Sequence, residues 1–157
     1  MKIEYFNMLN KLFALGLLGS TLIFTGCESI PTSSSHLEAS NLMQLQNRTW
    51  FITHVGNSEA KIMPNMPSLQ FDAATKRVTG SDGCNRLMGS YEAGRDTLVL
   101  SQMASTKMAC FNGHPASQTF KDALPKVANY QVFGKTLKLL DRHGNPLIQM
   151  QSNVLAQ

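Results

Sequence analysis

One stretch of the sequence, residues 80–110, constrains the fold most, because turn signals and strand signals alternate along it. Leu87 and Tyr91 fall on the same face of an alternating pattern, and a period of two is typical of a strand with unlike faces. Gly94 lies in a short polar gap, which suits a hairpin connection that needs a positive φ. The β-branched and aliphatic residues of 97–103 favour a pleated, half-buried surface. The stretch is therefore interpreted as a β-hairpin.

Two glycines bracket a short turn at the start of this stretch. Gly80 and Gly83 enclose Asp82, whose side chain can bond to backbone two residues farther on and therefore favours a turn. At a strand end, Gly80 also indicates a bulge or a close approach of two backbones. The alternative is a phosphate-cradling loop, but neither a Lys-Ser/Thr pair nor a helix signal follows Gly83.

Strand signals recur along the rest of the chain, each bounded by turn residues. In the first strand, Trp50, Ile52 and His54 are predicted to share one face. Strands do not alternate with helices, which argues against a doubly wound sheet and favours a mainly β fold that closes on itself. The eight short strand candidates are 49–55, 68–71, 77–80, 86–92, 97–103, 130–133, 136–141 and 146–152.

One helix is indicated after the hairpin. The apolar residues of 120–127 follow the three-four spacing of a buried stripe. Asn112 or His114 is the expected cap of this helix. Pro125 removes one helical hydrogen bond, so we expect the helix to kink or to end early, near Ala123.

Residues 1–26 are predicted to form a lipoprotein signal peptide. The apolar run Leu12–Phe24 is 13 residues long, which is short for a spanning helix and typical of the hydrophobic part of a signal peptide. It leads into Phe24-Thr25-Gly26-Cys27, which resembles a bacterial lipobox and makes Cys27 the expected lipidated residue. The alternatives are a plain secretory signal and a membrane anchor.

The residues after the lipobox predict a location and a tether. Glu28, where lipoproteins kept in the inner membrane commonly have Asp, favours the outer membrane, with the protein facing the periplasm. Residues 27–46 include a run of Pro, Thr and Ser and are predicted to form a flexible tether. The folded domain is expected to span residues 47–152.

The residue types that carry catalysis or bind metals are present without the spacing that such sites use. A Cys110–His114 nucleophilic pair would lack a visible orienting partner, and the sequence has no G-x-S-x-G motif. The net charge of +4 comes from scattered basic residues, which argues against a nucleic-acid partner. We therefore expect no catalytic residue, metal or cofactor. The possible metal ligands, none at Cys-x-x-Cys or His-x-x-x-His spacing, are His54, Cys84, Cys110, His114 and His143.

The hairpin residues match a known pattern. The run G-x-x-G-C-N-R-x-x-G-x-Y beginning at Gly80, followed by A-S-T-x-M-A-C ending at Cys110, resembles the META domain family. The resemblance covers roughly residues 47–151 and implies a small lipocalin-like antiparallel β-barrel with one helix. It also implies a structural role for the motif residues, which are Trp50, Gly80, Gly83, Asn85, Arg86, Gly89, Tyr91, Thr106 and Met108.

The resemblance further implies a disulfide between Cys84 and Cys110. Export to an oxidising compartment agrees with it, as does the even pair of cysteines that remains once Cys27 carries lipid. The antiparallel return of the hairpin permits the bond. The alternative is a pair of buried free thiols.

Two functions are compatible with these expectations. The HslJ-like heat-shock lipoproteins of the family imply a non-catalytic stress-response or novobiocin-tolerance factor, attached to the membrane by its lipid. The alternative is a binding module for a small apolar ligand or for an envelope protein, such as a hydrolase to be inhibited. Met63 and Met66 would suit an adaptable binding surface, although packing over the barrel mouth is favoured. A lumen filled by large side chains supports the first function, and an open apolar pocket supports the second.

Overall fold

Nine antiparallel strands and two helices form the part of the chain that the computed structural model describes, residues 41–152. The helices are α1 (residues 41–45) and α2 (Ser117–Ala123), and a 3-10 turn at Leu124–Lys126 follows α2 directly. The predicted signal peptide at 1–26, Cys27 and the tether up to residue 40 lie outside the described residues. Neither described helix is long and apolar enough to cross a bilayer. The strands are β1 (Thr49–Val55), β2 (Ser58–Glu59), β3 (Ser68–Phe71), β4 (Arg77–Ser81), β5 (Arg86–Ala93), β6 (Leu98–Ser105), β7 (Asn129–Phe133), β8 (Thr136–Leu140) and β9 (Pro146–Ser152).

The strands form one curled sheet in the order β6-β5-β4-β3-β1-β9-β8-β7, with the two-residue β2 paired to the end of β1. The two edge strands meet at one point, where Thr97 and Asn129 form an isolated antiparallel bridge. Beside it, the amide of Leu98 donates to the carbonyl of Ala128 at 3.0 Å. The predicted mainly β, barrel-like fold is thus confirmed as a curled half-barrel of eight strands, to which β2 and α1 are additions.

Large side chains fill the interior of this half-barrel. Inward-pointing residues of most strands are buried in alternation, and several of the largest are aromatic. The exceptions are β2, which has no buried residue, and β6, in which only Leu98 is buried. Phe71 and Tyr91 pack edge to face, with ring centroids 5.2 Å apart. Each buried side chain of this size contributes about 1.5–3 kcal/mol to the free energy of folding. The largest fully buried side chains are Trp50, Tyr91, Tyr130, Phe71, Phe120, Leu45, Ile52, Leu69, Leu98, Leu137, Leu139 and Ile148.

The inward-facing residues of β1 depart from the prediction at the end of the strand. Trp50 and Ile52 are buried as expected, but Val55, rather than His54, takes the next buried position. The pairing of β1 with β9 shifts register between Ile52 and His54. Such a bulge exchanges the inward and outward positions beyond it, so the predicted facing of His54 is wrong.

The folded unit begins before Asn47, so the predicted end of the tether is also wrong. Leu45 is fully buried and Gln46 is nearly so. The indole N–H of Trp50 donates to the carbonyl of Leu45 at 2.8 Å, and Gln46 Nε2 donates to the hydroxyl of Tyr91 at 2.6 Å. This segment packs on the core at the end of the barrel where β1 starts.

Helix α2 ends near Ala123, as predicted from the position of Pro125. The last residue of the helix is Ala123, and the 3-10 turn that follows it contains Pro125. The start of the helix differs from the prediction, because Ala116 occupies the cap position without a side-chain bond. The predicted cap by Asn112 or His114 is therefore wrong.

The turn between β5 and β6 is a hairpin turn, as predicted, but it does not rest on a positive φ at Gly94. Among the described glycines, positive φ values occur at Gly56, Gly83, Gly134 and Gly144. Gly94 instead provides space, since a Cβ there would lie 2.7 Å from the Oγ1 atom of Thr97. The amide of Gly94 donates to the carbonyl of Thr97 at 3.0 Å and closes the turn.

Candidate functional site

Three loops meet at one end of the barrel. The register pairs Ser68 with Ser81, Ser81 with Arg86 and Leu87 with Ser105, so β3 and β5 begin where β4 and β6 end. Because a disulfide joins two of the loops attached there, we call this the disulfide end. Its loops are residues 60–67, 82–85 and 106–116.

The disulfide joins Cys84, in the turn between β4 and β5, to Cys110, in the loop after β6. The two Cα atoms are 6.0 Å apart, within the usual range of about 4.4–6.8 Å. Cys84 is partly buried and Cys110 is exposed. The bond therefore holds the long loop after β6 against the sheet near the start of that loop.

The side chain of Asn85, next to Cys84, forms hydrogen bonds with the same loop. Its Oδ1 atom accepts hydrogen bonds from the amide of Met108 at 2.6 Å and from the hydroxyl of Thr106 at 3.0 Å. The Thr106 hydroxyl oxygen in turn accepts from the amide of Arg86 at 3.1 Å. Asn85 Nδ2 donates to the sulfur of Cys84 at 3.3 Å. Asn85 and Thr106 are thus occupied in shaping the chain between β6 and the disulfide.

Asp82 provides the buried charge of the disulfide end. Its side chain is 1% exposed, and its Oδ1 atom accepts from the amides of Cys84 at 2.9 Å and Asn85 at 2.6 Å. The ammonium group of Lys121, on α2, lies 3.1 Å from Oδ2. Burial raises the pKa of Asp82, but the Asn85 amide, Lys121 and the Cys84 amide outweigh it and hold the pKa below its ordinary value. The hydroxyl of Ser117 donates to the backbone carbonyl of Asp82, so both ends of α2 are tied to this turn.

Gly83 and His114 pack against each other between the loops. Gly83 has a φ of +92°, and a Cβ on it would lie 2.6 Å from the Cβ of His114. The Nε2 atom of His114 is 2.7 Å from the carbonyl of Lys61, and its Nδ1 atom accepts from the amide of Ala116 at 3.1 Å. With these partners, Nε2 is the donor to Lys61 and Nδ1 is the acceptor. Both ring nitrogens of this buried histidine are therefore occupied by backbone groups.

The sequence carries the signature of one family over most of its length. Residues 43–154 match the family model of the META domain. The chain belongs to the META domain family. No curated protein matches it.

Two solved structures share the fold of this META domain. One, determined by NMR, is 21% identical, covers 73% of this chain and 97% of its own, and has a TM-score of 0.57. The other, an NMR structure of a protein from Burkholderia xenovorans, is 18% identical, covers 94% of this chain and 99% of its own, and has a TM-score of 0.55. At these identities the likeness shows a common fold.

The motif residues of the META domain divide between the barrel interior and the disulfide end. Trp50 and Tyr91 lie in the interior. Gly80 and Gly89 lie where another backbone approaches: a Cβ on Gly80 would overlap a carbonyl of β3, and one on Gly89 would lie 2.8 Å from the carbonyl oxygen of Ser101. The remaining motif residues, which belong to the disulfide end, are Gly83, Asn85, Arg86, Thr106 and Met108.

The possible catalytic and metal-binding residues are not brought together in a reactive group. Cys84 and Cys110 are consumed by the disulfide, and the ring nitrogens of His114 face backbone groups. His54 lies on β1, and His143 lies in the turn after β8. Among residues 41–152, no three His, Cys, Asp or Glu side chains are arranged to hold a metal ion.

Two residues that hold the disulfide end together were not predicted from the sequence. Asn65 Nδ2 donates to the carbonyl of Gly83 at 2.7 Å and to that of Asn112 at 2.9 Å, and so connects all three loops. Lys121 pairs with Asp82 from a helix that is distant in sequence. Neither residue type is distinctive of such a role, so only the tertiary structure identifies them.

Proposed function

We infer that this META-domain protein is a non-catalytic lipoprotein of the bacterial envelope, held at the outer membrane facing the periplasm, and acts in stress response or in tolerance of novobiocin-type drugs. The observation that carries the inference is the filled barrel. Its inward strand positions hold large, fully buried side chains such as Trp50, Tyr91 and Tyr130. Within the described residues these side chains occupy the space where a lumen for a substrate would lie.

The bonding of the polar side chains at the disulfide end supports the non-catalytic part of the proposal. The side chains of Asp82, Asn85 and Thr106 bond to backbone groups or to one another at the disulfide end. His114 is 3% exposed and bonds to backbone through both nitrogens. A catalytic group needs a free face toward a reacting atom, and these side chains are turned toward the protein.

The lipid anchor rests on the sequence before the domain. The apolar run Leu12–Phe24 and the lipobox-like residues ending at Cys27 support processing and lipidation. The stress and drug-tolerance role rests on the likeness of the motif to HslJ-like lipoproteins.

The alternative function is a binding module, and the described cavities give little support to the binding of a small apolar ligand. One described cavity with a mainly apolar lining lies between β6 and the 3-10 turn, contacts Leu87, Met103, Leu124 and Pro125 among others, and has a volume of about 150 Å³. A larger described cavity, of about 470 Å³, has charged residues in its lining, including Lys126, Asp141 and Arg142. Pockets that bind drug-sized ligands have volumes of roughly 300–1,000 Å³. Met66 is buried, so the methionine-containing loop packs on the core at this residue and offers less adaptable surface. Inhibition of an envelope hydrolase remains the alternative for a protein partner.

Complementation of a deletion strain tests the proposal. The deletion should lower survival after heat shock or in novobiocin, and the wild-type gene should restore it. Cys27→Ser should lose membrane association and rescue, and the intact mass of the membrane-extracted wild-type protein should show lipid on Cys27. His143→Ala, at an exposed position, should rescue fully. Unchanged survival of the deletion strain, or hydrolase activity abolished by one Ser, Cys or His substitution, would contradict the proposal.

A further inference from the structure

Large apolar side chains are exposed together at the disulfide end. Phe111 is 100% exposed, Ile62 is 73% exposed and Met108 is 61% exposed. They belong to two of the three loops of that end, residues 60–67 and 106–116. Scattered single apolar residues on a surface need no explanation, but three on adjacent loops indicate an interaction site.

Hydrogen bonds and the disulfide hold these loops in place. His114 bonds the carbonyl of Lys61, next to Ile62, and Asn65 bonds the carbonyl of Asn112, next to Phe111. Asn85 accepts a hydrogen bond from the amide of Met108. The disulfide to Cys84 fixes Cys110, the residue directly before Phe111. The apolar side chains are therefore displayed on a braced support, which keeps them from folding back onto the core.

Positive charge accompanies these apolar residues. Lys61 precedes Ile62, and Lys107 precedes Met108; both lysines are exposed. Within the three loops, all of which the structure describes, Asp82 is the one acidic residue, and its carboxylate is buried and paired with a lysine of α2. Glu59, which is exposed in β2, lies directly before the first of these loops and lines a cavity together with Ile62. The exposed charges of the loops themselves are cationic and accompany the apolar side chains.

We propose that the disulfide end docks on an anionic phospholipid bilayer, with Phe111, Met108 and Ile62 entering the headgroup region and Lys61 and Lys107 facing lipid phosphates. Lysine is depleted at protein–protein interfaces, whereas lysine beside exposed apolar side chains is the usual composition of a surface that lies on anionic lipid. A stable protein interface buries about 800 Å² on each partner, which is more than three side chains on two loops supply. This contact goes beyond the lipid anchor of the proposed function and does not depend on Cys27.

Vesicle binding by residues 32–157 tests the proposal. This segment contains every described strand, both described helices and the core of the described residues, and it lacks the signal peptide and Cys27. Success or failure here is therefore separate from the fate of the lipid anchor. The segment should co-sediment with vesicles of phosphatidylcholine and phosphatidylglycerol, should bind pure phosphatidylcholine weakly, and should be released by salt.

Matched substitutions locate the contact. Lys107→Gln should weaken binding roughly fivefold, since each lysine near an anionic surface contributes about that factor. Phe111→Ser should weaken it roughly tenfold, because a large apolar side chain no longer leaves water. The controls are Phe133→Ser and Lys135→Gln in the β7–β8 turn at the opposite end, where Phe133 is 67% exposed; both should bind as the wild type does.

A second readout reports depth directly. Phe111→Trp should shift its emission to the blue and be quenched by brominated lipid, while the buried Trp50 is unaffected. The proposal is overturned if the segment does not bind anionic vesicles, or if the two Phe→Ser variants lose binding equally. It is also overturned if the segment ignores vesicles but forms a dimer that Phe111→Ser dissociates, because the patch would then join two copies of the chain.

Discussion

The side-chain oxygen of Asn85 lies 2.6 Å from the backbone nitrogen of Met108, 23 residues later in the chain, and accepts its hydrogen bond. The same oxygen accepts from the hydroxyl of Thr106 at 3.0 Å. One amide side chain thus turns the chain leaving β6 back toward the turn between β4 and β5. The disulfide at Cys110 then holds the position that Asn85 has set.

Asn85→Ala is expected to lower the free energy of unfolding by about 1–3 kcal/mol, because the amide of Met108 and the hydroxyl of Thr106 lose their acceptor. Urea unfolding of residues 32–157 measures this. Asn112→Ala is the control, since Asn112 is exposed in the same loop and its loss should cost no more than about 0.5 kcal/mol. Equal losses in the two variants would mean that the Asn85 bonds do not hold the loop.

Removal of the disulfide is expected to lower the free energy of unfolding by about 3–4 kcal/mol, the chain-entropy value for a separation of 26 residues. Thermal or urea unfolding with and without a reductant measures the change. The Cys84→Ser/Cys110→Ser double variant should match the reduced wild type and should not respond to reductant. Peptide mapping without reduction should recover a peptide pair joined through Cys84 and Cys110; two alkylatable thiols in protein from the periplasm would count against the bond.

Local patterns predicted most of the sheet. The alternation around Leu87 and Tyr91 holds in β5, where both are buried, because it depends only on the period of a strand and on nearby turn residues. The facing of His54 failed because the bulge in β1 depends on its pairing with β9, almost a hundred residues away. The burial of Leu45 was missed because it depends on the indole of Trp50 and on packing against the barrel.

The candidate site was less predictable than the sheet. Asp82 has the sequence pattern of a turn residue, and it does bond to the turn amides. Its ion pair with Lys121 could not be predicted, because nothing in the sequence places α2 beside this turn. Phe111 likewise follows a cysteine without any periodic pattern, so its full exposure is visible only in the folded chain.

Asp82→Asn is expected to lower stability at pH 7 by about 1–3 kcal/mol, because the pairing of a buried group with Lys121 is lost. The folded-state pKa of Asp82 lies below its ordinary value of 3.8, so its ionised form favours folding above that pH. This stabilisation disappears as the pH falls through the folded-state pKa. The gap between wild type and variant should therefore narrow in acid, as urea unfolding at pH 7 and below pH 4 would measure.

Asp122→Asn is the control for that substitution, since Asp122 is an exposed carboxylate on the same helix as Lys121. It should be nearly neutral at pH 7. A constant gap between Asp82→Asn and wild type from neutral pH into acid would show that Asp82 does not stabilise the fold through its charge.

The burial of Tyr130 leads to a prediction about how stability changes at alkaline pH. Burial in the barrel, with smaller effects of the Asp96 carboxylate and of Tyr91, raises the pKa of Tyr130 to about 12, whereas the unfolded chain titrates near 10. Between these values the unfolded state releases a proton that the folded state keeps, so stability falls as the pH rises, by up to about 1.4 kcal/mol per pH unit.

Tyr130→Phe should remove this contribution and flatten the decline in stability above pH 10. At neutral pH it should cost about 0.5–1.5 kcal/mol, because the hydroxyl no longer donates to the carbonyl of Gly94 at 3.1 Å. Urea unfolding between pH 7 and 12 measures both effects. In residues 32–157 the tyrosines are Tyr91 and Tyr130, and burial raises the pKa of each. Phenolate absorbance should therefore appear at higher pH in the folded segment than in the unfolded segment. A native midpoint near 10 for both tyrosines would contradict the packing of Tyr130 inside the barrel.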